Sequence, residues 1–147
     1  MNNLTKMEIR KPAHDVFEAF VDPDQIGNFW FSSSSERWEE GKTVTLRYEE
    51  YGAQGDIHVI EMISDQKIVF EWGREDGEPH LVSITFKNTD SDLAGTVVEV
   101  NEDGFDENDP ELIPKLVGNK EGWVYMLTCL KGYLEFDVNR LRGALVK

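Results

Sequence analysis

Glu61 is the side chain that the sequence places best for chemistry. If residues 64–67 form a tight hairpin turn, Glu61 pairs with Phe70, and Val59 pairs with Trp72. Paired residues of neighbouring strands share one face of a sheet, so this register surrounds a carboxylate with apolar side chains. A buried carboxylate costs free energy unless it is paired or protonated.

Three roles for Glu61 follow from that position. The carboxylate could bind a hydroxyl or an amine of a ligand, or act as a general acid or base. Alternatively, a neighbouring Tyr or Trp side chain satisfies it, and we favour this interpretation over catalysis. No catalytic residue is therefore assigned from the sequence.

A second predicted hairpin adds residues to the same apolar face. With its turn centred on residues 52–53, Leu46 pairs with Val59 and Tyr48 pairs with Ile57. Ligand pockets are mostly apolar with a few polar groups, so such a face can line one, although an ordinary core is the alternative. The residues that we predict to bind a ligand are Phe29, Trp30, Leu46, Tyr48, Val59, Glu61, Phe70, Trp72, Ile84, Trp123 and Leu127.

Other sites of known chemistry are not indicated. His14, His58 and His80 have no metal-ligand spacing with one another or with Cys129, so we expect surface or edge histidines and no metal. The serines at 32–35 read as a loop rather than as part of a nucleophilic triad. No phosphate-binding or dinucleotide-binding glycine motif is present, and no cofactor is predicted.

The segment 99–111 carries seven acidic side chains and no basic one. Its order of residues does not match a calcium-binding EF-hand loop. We therefore expect a solvated loop there. Cys129 lies beside the apolar stripe of a predicted helix and is expected to be inert packing.

The elements that must position these residues are short strands framed by helices. A helix opens at Pro12, and residues 22–25 carry the signals of a second short helix start. The successive hairpins predict an antiparallel sheet. The predicted strands are 4–10, 43–50, 56–63, 68–72, 82–86 and 96–100.

The longest periodic segment runs from about residue 119 to 141 and predicts a long helix. A further helix start is indicated at 109–111. The apolar stripe of the long helix is Trp123, Met126, Leu127, Leu130, Leu134, Val138 and Leu141.

Composition limits the class of protein. A chain of 147 residues suits one domain, here 1–147. Its net charge of -14 repels phosphate backbones and anionic membranes, so we expect neither nucleic-acid binding nor membrane insertion. The single cysteine excludes an internal disulfide. The N-terminus shows no signal-peptide pattern, so we expect the cytoplasm.

The pattern resembles the SRPBCC (START/Bet v 1-like) superfamily and, within it, the AHSA1 group, named for the activator of Hsp90 ATPase homologue. The matching pieces are Pro12-Ala13, Val16-Phe17, Ala19-Phe20, Asp22-Pro23, Phe29-Trp30, Gly41, Val59, Glu61, Ile68-Val69-Phe70, Trp72, Gly95-Thr96, Gly122-Trp123 and Leu127. The resemblance implies an α+β helix-grip fold. In that fold a curved antiparallel sheet of about six strands, with two short N-terminal helices, carries a long C-terminal helix across it.

The resemblance also implies a hydrophobic cavity between the sheet and the long helix. We expect that cavity to bind a small hydrophobic or amphipathic molecule. The alternatives are a co-chaperone-like interaction module related to Hsp90 activators, which would link the protein to the stress response, and a cyclase- or isomerase-like enzyme using Glu61. The expected partners are the small molecule or a chaperone, with the chain a monomer or a weak homodimer.

Overall fold

The computed structural model describes residues 1–73, 77–89 and 95–146. Two α-helices and seven strands form one α+β layer structure, as predicted. The strands are β1 (Asn2–Ile9), β2 (Ser33–Ser34), β3 (Thr43–Tyr48), β4 (Ala53–Ile63), β5 (Lys67–Trp72), β6 (His80–Asn88) and β7 (Thr96–Asp103). The helices are α1 (Ala13–Val21) and α2 (Leu112–Phe136), with 3₁₀ turns at Ile26–Asn28 and Glu49–Tyr51.

All strands belong to one antiparallel sheet in the order β1-β7-β6-β5-β4-β3-β2. The antiparallel topology confirms the prediction from the hairpins, and the two-residue strand β2 brings the number of strands to seven. In β7 buried side chains alternate with half-buried or exposed ones, because successive residues of a strand point to opposite faces. One face of the sheet therefore belongs to the core.

The long helix packs on that core face. Trp123, Met126, Leu127 and Leu130 of α2 are buried in a single apolar cluster with residues of the sheet and of α1. This confirms the predicted stripe over the first half of its length. Apolar burial of this kind supplies the main favourable free energy of the fold.

The end of the long helix differs from the prediction. The helix stops at Phe136 because Asp137 takes a left-handed conformation, with φ 56°. The backbone N–H of Val138 then donates to the carbonyl of Gly132 at 3.0 Å, which is a local helix ending. Val138 and Leu141, predicted to continue the stripe, lie beyond the helix and are 41% and 43% exposed.

The second predicted helix is only a single 3₁₀ turn, Ile26–Asn28. The two carboxylate oxygens of Asp22 accept hydrogen bonds from the backbone N–H of Asp24, at 2.9 Å, and from the side-chain amide of Gln25, at 3.1 Å. These contacts fit the predicted start signal. The turn delivers the buried rings of the next two residues, Phe29 and Trp30, to the core.

The predicted register of β4 with β5 is wrong by one residue near the turn. The turn contains only residues 64–66, with Asp65 in the left-handed region, so Ile63 pairs with Lys67 and Glu61 pairs with Val69. A bulge between Val59 and Glu61 then restores the face of the strand. Because of this bulge, Val59 still lies on the core face, although opposite a different residue.

The register of β3 with β4 is shifted as well. The chain turns through Glu49–Tyr51 and then Gly52, whose φ of 59° favours glycine, so β4 begins earlier than expected, at Ala53. Leu46 consequently pairs with Gly55 instead of Val59. The shift is even, so the predicted face of β3 is kept.

Among the described residues, no helix is both long and apolar enough to cross a membrane.

Candidate functional site

Two adjoining clefts lie beside α2. The main cleft has a volume of about 540 Å³ and is bounded by the sheet, by α2 and by the C-terminal segment that follows this helix. Such a volume lies within the range of small-molecule sites. The main cleft is lined by Trp30, Phe31, Tyr48, Tyr51, Trp72, Gly118, Asn119, Gly122, Trp123, Tyr125, Met126, Gly143 and Leu145.

The side cleft, of about 350 Å³, continues along the hairpin of β3 and β4. Phe31, Tyr48, Trp72 and Asn119 line both clefts and so mark the boundary between them. The remaining residues of the side cleft are Leu46, Ala53, Gln54, Gly55, Asp56, Ile57, Gly73 and Glu102.

Three tryptophans converge on the main cleft from three different elements. Trp30 follows the first 3₁₀ turn, Trp72 ends β5, and Trp123 lies on α2. The rings of Trp72 and Trp123 stack with centroids 5.3 Å apart and planes 20° from parallel, and Trp30 lies 5.5 Å from Trp123 and 6.3 Å from Trp72. The three rings therefore come together from a short helical turn, a strand and the long helix.

Glu102 supplies a buried carboxylate at the inner wall. Glu102 is only 1% exposed, and it forms part of the lining of the side cleft. Oε1 accepts hydrogen bonds from Nδ2 of Asn119, at 2.9 Å, and from Nε1 of Trp123, at 3.1 Å. Oε2 lies 2.7 Å from Nδ1 of His80, the distance of a hydrogen bond in which the imidazole donates. Every one of these contacts supports a carboxylate that would be costly to bury alone.

Local strand geometry explains why Glu102 and His80 face inward. In β7, Glu102 has the same parity as the buried residues Val98 and Val100. His80 likewise begins the buried parity of β6, and it is 4% exposed. The neighbouring turn leaves room for the imidazole, since a Cβ on Gly104 would lie 2.8 Å from the His80 ring.

An ion pair between Arg142 and Glu50 lies at the rim of the main cleft. Arg142, in the C-terminal segment, makes two hydrogen bonds to the carboxylate of Glu50 and others to the Trp30 carbonyl and the Ser32 hydroxyl. The guanidinium lowers the pKa of Glu50 to about 2. Arg142 also lies over the Tyr48 ring, 5.5 Å from its centroid. Burial raises the pKa of Tyr48 to about 12, so its hydroxyl stays protonated at neutral pH.

The predicted site residues divide between the clefts and the core. Five of them line a cleft: Trp30, Leu46, Tyr48, Trp72 and Trp123. Five others are buried core side chains: Phe29, Val59, Phe70, Ile84 and Leu127. The role of either group in ligand binding stays a prediction.

The predicted position of Glu61 is wrong. Its side chain is 43% exposed, and Oε1 lies 3.4 Å from Nζ of Lys67. The cause is the changed register, which turns Glu61 to the face of the sheet away from α2. Among the described residues, the buried carboxylate is that of Glu102, in the segment expected to be a solvated loop.

Sequence reasoning also missed several cleft residues. The strand parity of Glu102 with Val98 and Val100 was a signal that could have identified it, and the same argument applies to His80, which was expected at the surface. No comparable signal exists for Leu145 or Tyr51, which meet because the Tyr51 hydroxyl donates to the Leu145 carbonyl at 3.0 Å. That contact depends on how the chain returns after α2.

Metal binding finds no support in the described part of the chain, where no group of His, Cys, Asp and Glu side chains could hold an ion. His14 instead pairs with Asp65 at 2.9 Å. Cys129 is buried in the core, and burial raises the pKa of its thiol, which disfavours the reactive thiolate.

The family follows from the sequence as a whole. The sequence profile of the family described as Activator of Hsp90 ATPase homolog 1-like protein (AHSA1) matches residues 10–135. The chain belongs to this family. The resemblance found from the sequence is thereby confirmed, whereas no curated protein matches the chain.

Solved structures support the same fold. Protein SSP2350 from Staphylococcus saprophyticus is 52% identical, with a TM-score of 0.82 and 95% of each chain covered. The Aha1 dimer from Colwellia psychrerythraea is 17% identical, with a TM-score of 0.78 and coverage of 92% of this chain and 97% of that one. An HSP90 activator from Plasmodium falciparum, PFC0360w, is 17% identical, with a TM-score of 0.70 and coverage of 91% and 96%. The last two likenesses concern the fold alone.

Proposed function

We propose that this AHSA1-family protein binds a small hydrophobic or amphipathic molecule in the main cleft. The observation that carries the proposal is the cleft of about 540 Å³ walled by aromatic rings. Trp72 and Tyr48 are only half-buried, although each packs against other aromatic rings. Exposed aromatic surface inside a concave site favours an apolar ligand, because covering it removes that surface from water.

Four of the predicted residues are proposed as ligand contacts in the main cleft: Trp30, Tyr48, Trp72 and Trp123. Leu46 is proposed as a contact in the adjoining side cleft. Polar groups in the lining support an amphipathic ligand, because Asn119 lines both clefts and Glu102 lines the side cleft. A few polar groups within an apolar lining are typical of sites that orient a ligand.

Gly122 offers a sharp test of this proposal. It lines the main cleft on α2, and a Cβ added there would meet no atom within 4 Å. Gly122→Leu should therefore occupy the cleft without a clash at Cβ, and it removes a glycine from a helix. Val124→Leu is the matched control, since Val124 lies on the same helix, is 40% exposed and is not part of the cleft lining.

The measurement is calorimetric titration with fatty, aromatic and terpenoid probes. We expect at least one probe to bind the native protein, and Gly122→Leu to weaken that binding by about tenfold or more, equivalent to ~1.4 kcal/mol. Val124→Leu should change the affinity by less than about twofold, or roughly 0.4 kcal/mol. The proposal fails if no probe binds more tightly than about 1 mM, or if Gly122→Leu binds as the native protein does.

A second candidate function is a co-chaperone-like interaction module. It is favoured by the family itself and by the HSP90 activator among the similar structures. Ile113 and Val117 lie one turn apart near the start of α2 and are 68% and 60% exposed, which provides apolar surface for a partner. The test is the ATPase rate of a purified Hsp90 with this protein added. Stimulation that Ile113→Ser abolishes, with probe binding unchanged, would support this function, and an unchanged ATPase rate at saturation would exclude it.

A further inference from the structure

Glu102 places a buried hydrogen-bond acceptor at the inner wall of the clefts. The side chain is in effect fully buried, yet it forms part of the lining of the side cleft. Its three described hydrogen-bond partners, Asn119, Trp123 and His80, all contribute a nitrogen. The indole of Trp123 can only donate, and a carboxylate can only accept.

The carboxylate of Glu102 retains capacity for one more donor. Two carboxylate oxygens offer about four acceptor sites, and donors from the described part of the chain fill three of them. Oε1 already has two partners, whereas Oε2 has one, the imidazole of His80. A ligand donor that enters from the side cleft would complete the set.

The arginine at the rim, Arg142, is held by other protein groups. Arg142 is the basic residue at the rim, and its guanidinium is held by both oxygens of Glu50, by the Ser32 hydroxyl and, through Nε, by the Trp30 carbonyl. These bonds use four of the five N–H groups of an arginine. Among the described residues that line the two clefts none is a Lys or an Arg, so an anionic ligand would meet Glu102 without a cation in the lining to offset the repulsion.

The aromatic walls of the main cleft and the net charge of the protein both favour a cationic ligand. Trp30, Trp72 and Trp123 present ring faces and edges to one space, and a cation over such a face is attracted by the ring quadrupole. The net charge of -14 also draws cations toward the protein. Thus the local acceptor, the aromatic walls and the long-range field all favour a positively charged donor.

We propose that the site selects an amine: a protonated primary or secondary amine on an apolar body, with its N–H donating to Glu102 and the body covered by the tryptophan walls. This inference rests on the proposed function, because it specifies the ligand class of the main cleft together with the side cleft that adjoins it. It assigns Glu102 as the residue that determines specificity.

Three probes with one apolar body test the inference. They are 2-naphthylmethylamine, 2-naphthylmethanol and 2-naphthoate, which differ in charge and in donor groups while keeping the fused rings. Calorimetric titration of the native protein should rank the amine first and the carboxylate last, with about tenfold or more between them. The same ranking should persist in about 0.5 M salt, which screens the long-range field but not a direct contact.

Glu102→Gln then assigns the preference to a residue. It keeps the size of the side chain but removes its charge, and we expect the amine to lose most of its advantage while the affinity of the alcohol changes less than about threefold. Glu107→Gln is the matched control. Glu107 is exposed in the same acidic segment and does not line either cleft, so this substitution removes the same charge away from the site. It should leave the ranking unchanged.

The outcomes separate the two proposals. Three results would overturn the assignment: the probes bind without a preference for the amine, the preference disappears in salt, or Glu102→Gln shows the same preference. Each of them would still leave a ligand-binding cleft. Failure of all three naphthyl probes and of the wider panel would instead overturn the proposed function. If Glu102→Gln does not fold, the ranking and its persistence in salt on the native protein still decide whether the site selects amines.

Discussion

The hydrogen bond from Trp123 to Glu102 gives a quantitative test of the inner wall. Trp123→Phe keeps an aromatic ring at this position but removes the indole N–H, which lies 3.1 Å from Oε1 of Glu102. The residue is 1% exposed, so loss of the indole N–H leaves a buried charged acceptor with one donor fewer. Hydrogen bonds to charged groups contribute roughly 1.5–3 kcal/mol, and a buried charged acceptor lies toward the upper part of that range.

The smaller ring also loses packing, which must be separated from the hydrogen bond. Trp72→Phe is the matched control, because Trp72 stacks on Trp123 at 5.3 Å and is not among the donors to Glu102. We expect Trp123→Phe to lower the free energy of unfolding by roughly 2–3 kcal/mol more than Trp72→Phe does. Urea denaturation monitored by circular dichroism measures both values.

A double-mutant cycle attributes the loss to the pair. Trp123→Phe, Glu102→Gln and their combination should give a coupling free energy of about 1–3 kcal/mol if the two groups interact directly. Two results would refute the reasoning: the two tryptophan variants agreeing within about 0.5 kcal/mol, or a coupling close to zero. Either would mean that Glu102 is solvated or satisfied in another way.

Three further predictions concern the buried side chain of Leu130, the ion pair of Glu50 at the rim, and the close approach of Gly104 to His80. Leu130→Ala should lose roughly 2–5 kcal/mol in chemical denaturation because Leu130 is 0% exposed, and a loss below about 1 kcal/mol would contradict its place in the core. The pKa of Glu50 is lowered from 4.5 to about 2, so its contribution to stability is complete above pH 4.5 and is lost as the pH falls toward 2. Glu50→Gln should therefore flatten the stability profile over that window, and an unchanged profile would argue against the ion pair. Gly104→Ala should lower the melting temperature because its φ is 127° and its Cβ would lie 2.8 Å from the His80 ring, whereas Gly55→Ala, which meets no atom within 4 Å, should change it far less.

Local sequence patterns were enough to predict the antiparallel sheet, the stripe of the long helix and the face of most strands. Val59 and Phe70 were placed on the core face, and both are fully buried. This worked because alternation along a strand and spacing along a helix are local properties of the chain. A helix start was predicted at 109–111 from its residue types, and α2 begins there, at Leu112, earlier than the periodic segment from about residue 119 that was predicted as the long helix.

Register and the inner carboxylate were decided only by the tertiary structure. Side chains alternate with a period of two, so a turn one residue shorter than predicted places Glu61 on the outer face of the sheet. The bulge that follows returns Val59 to the core face. Glu102 can be buried because His80 and Trp123, more than twenty residues away on either side, bring it donors. Whether a carboxylate is tolerated inside depends on such partners, and strand parity alone cannot show that they are present. The rim depends in the same way on Arg142 meeting Glu50 across 92 residues of chain, a contact that exists only once the C-terminal segment has folded back over the cleft.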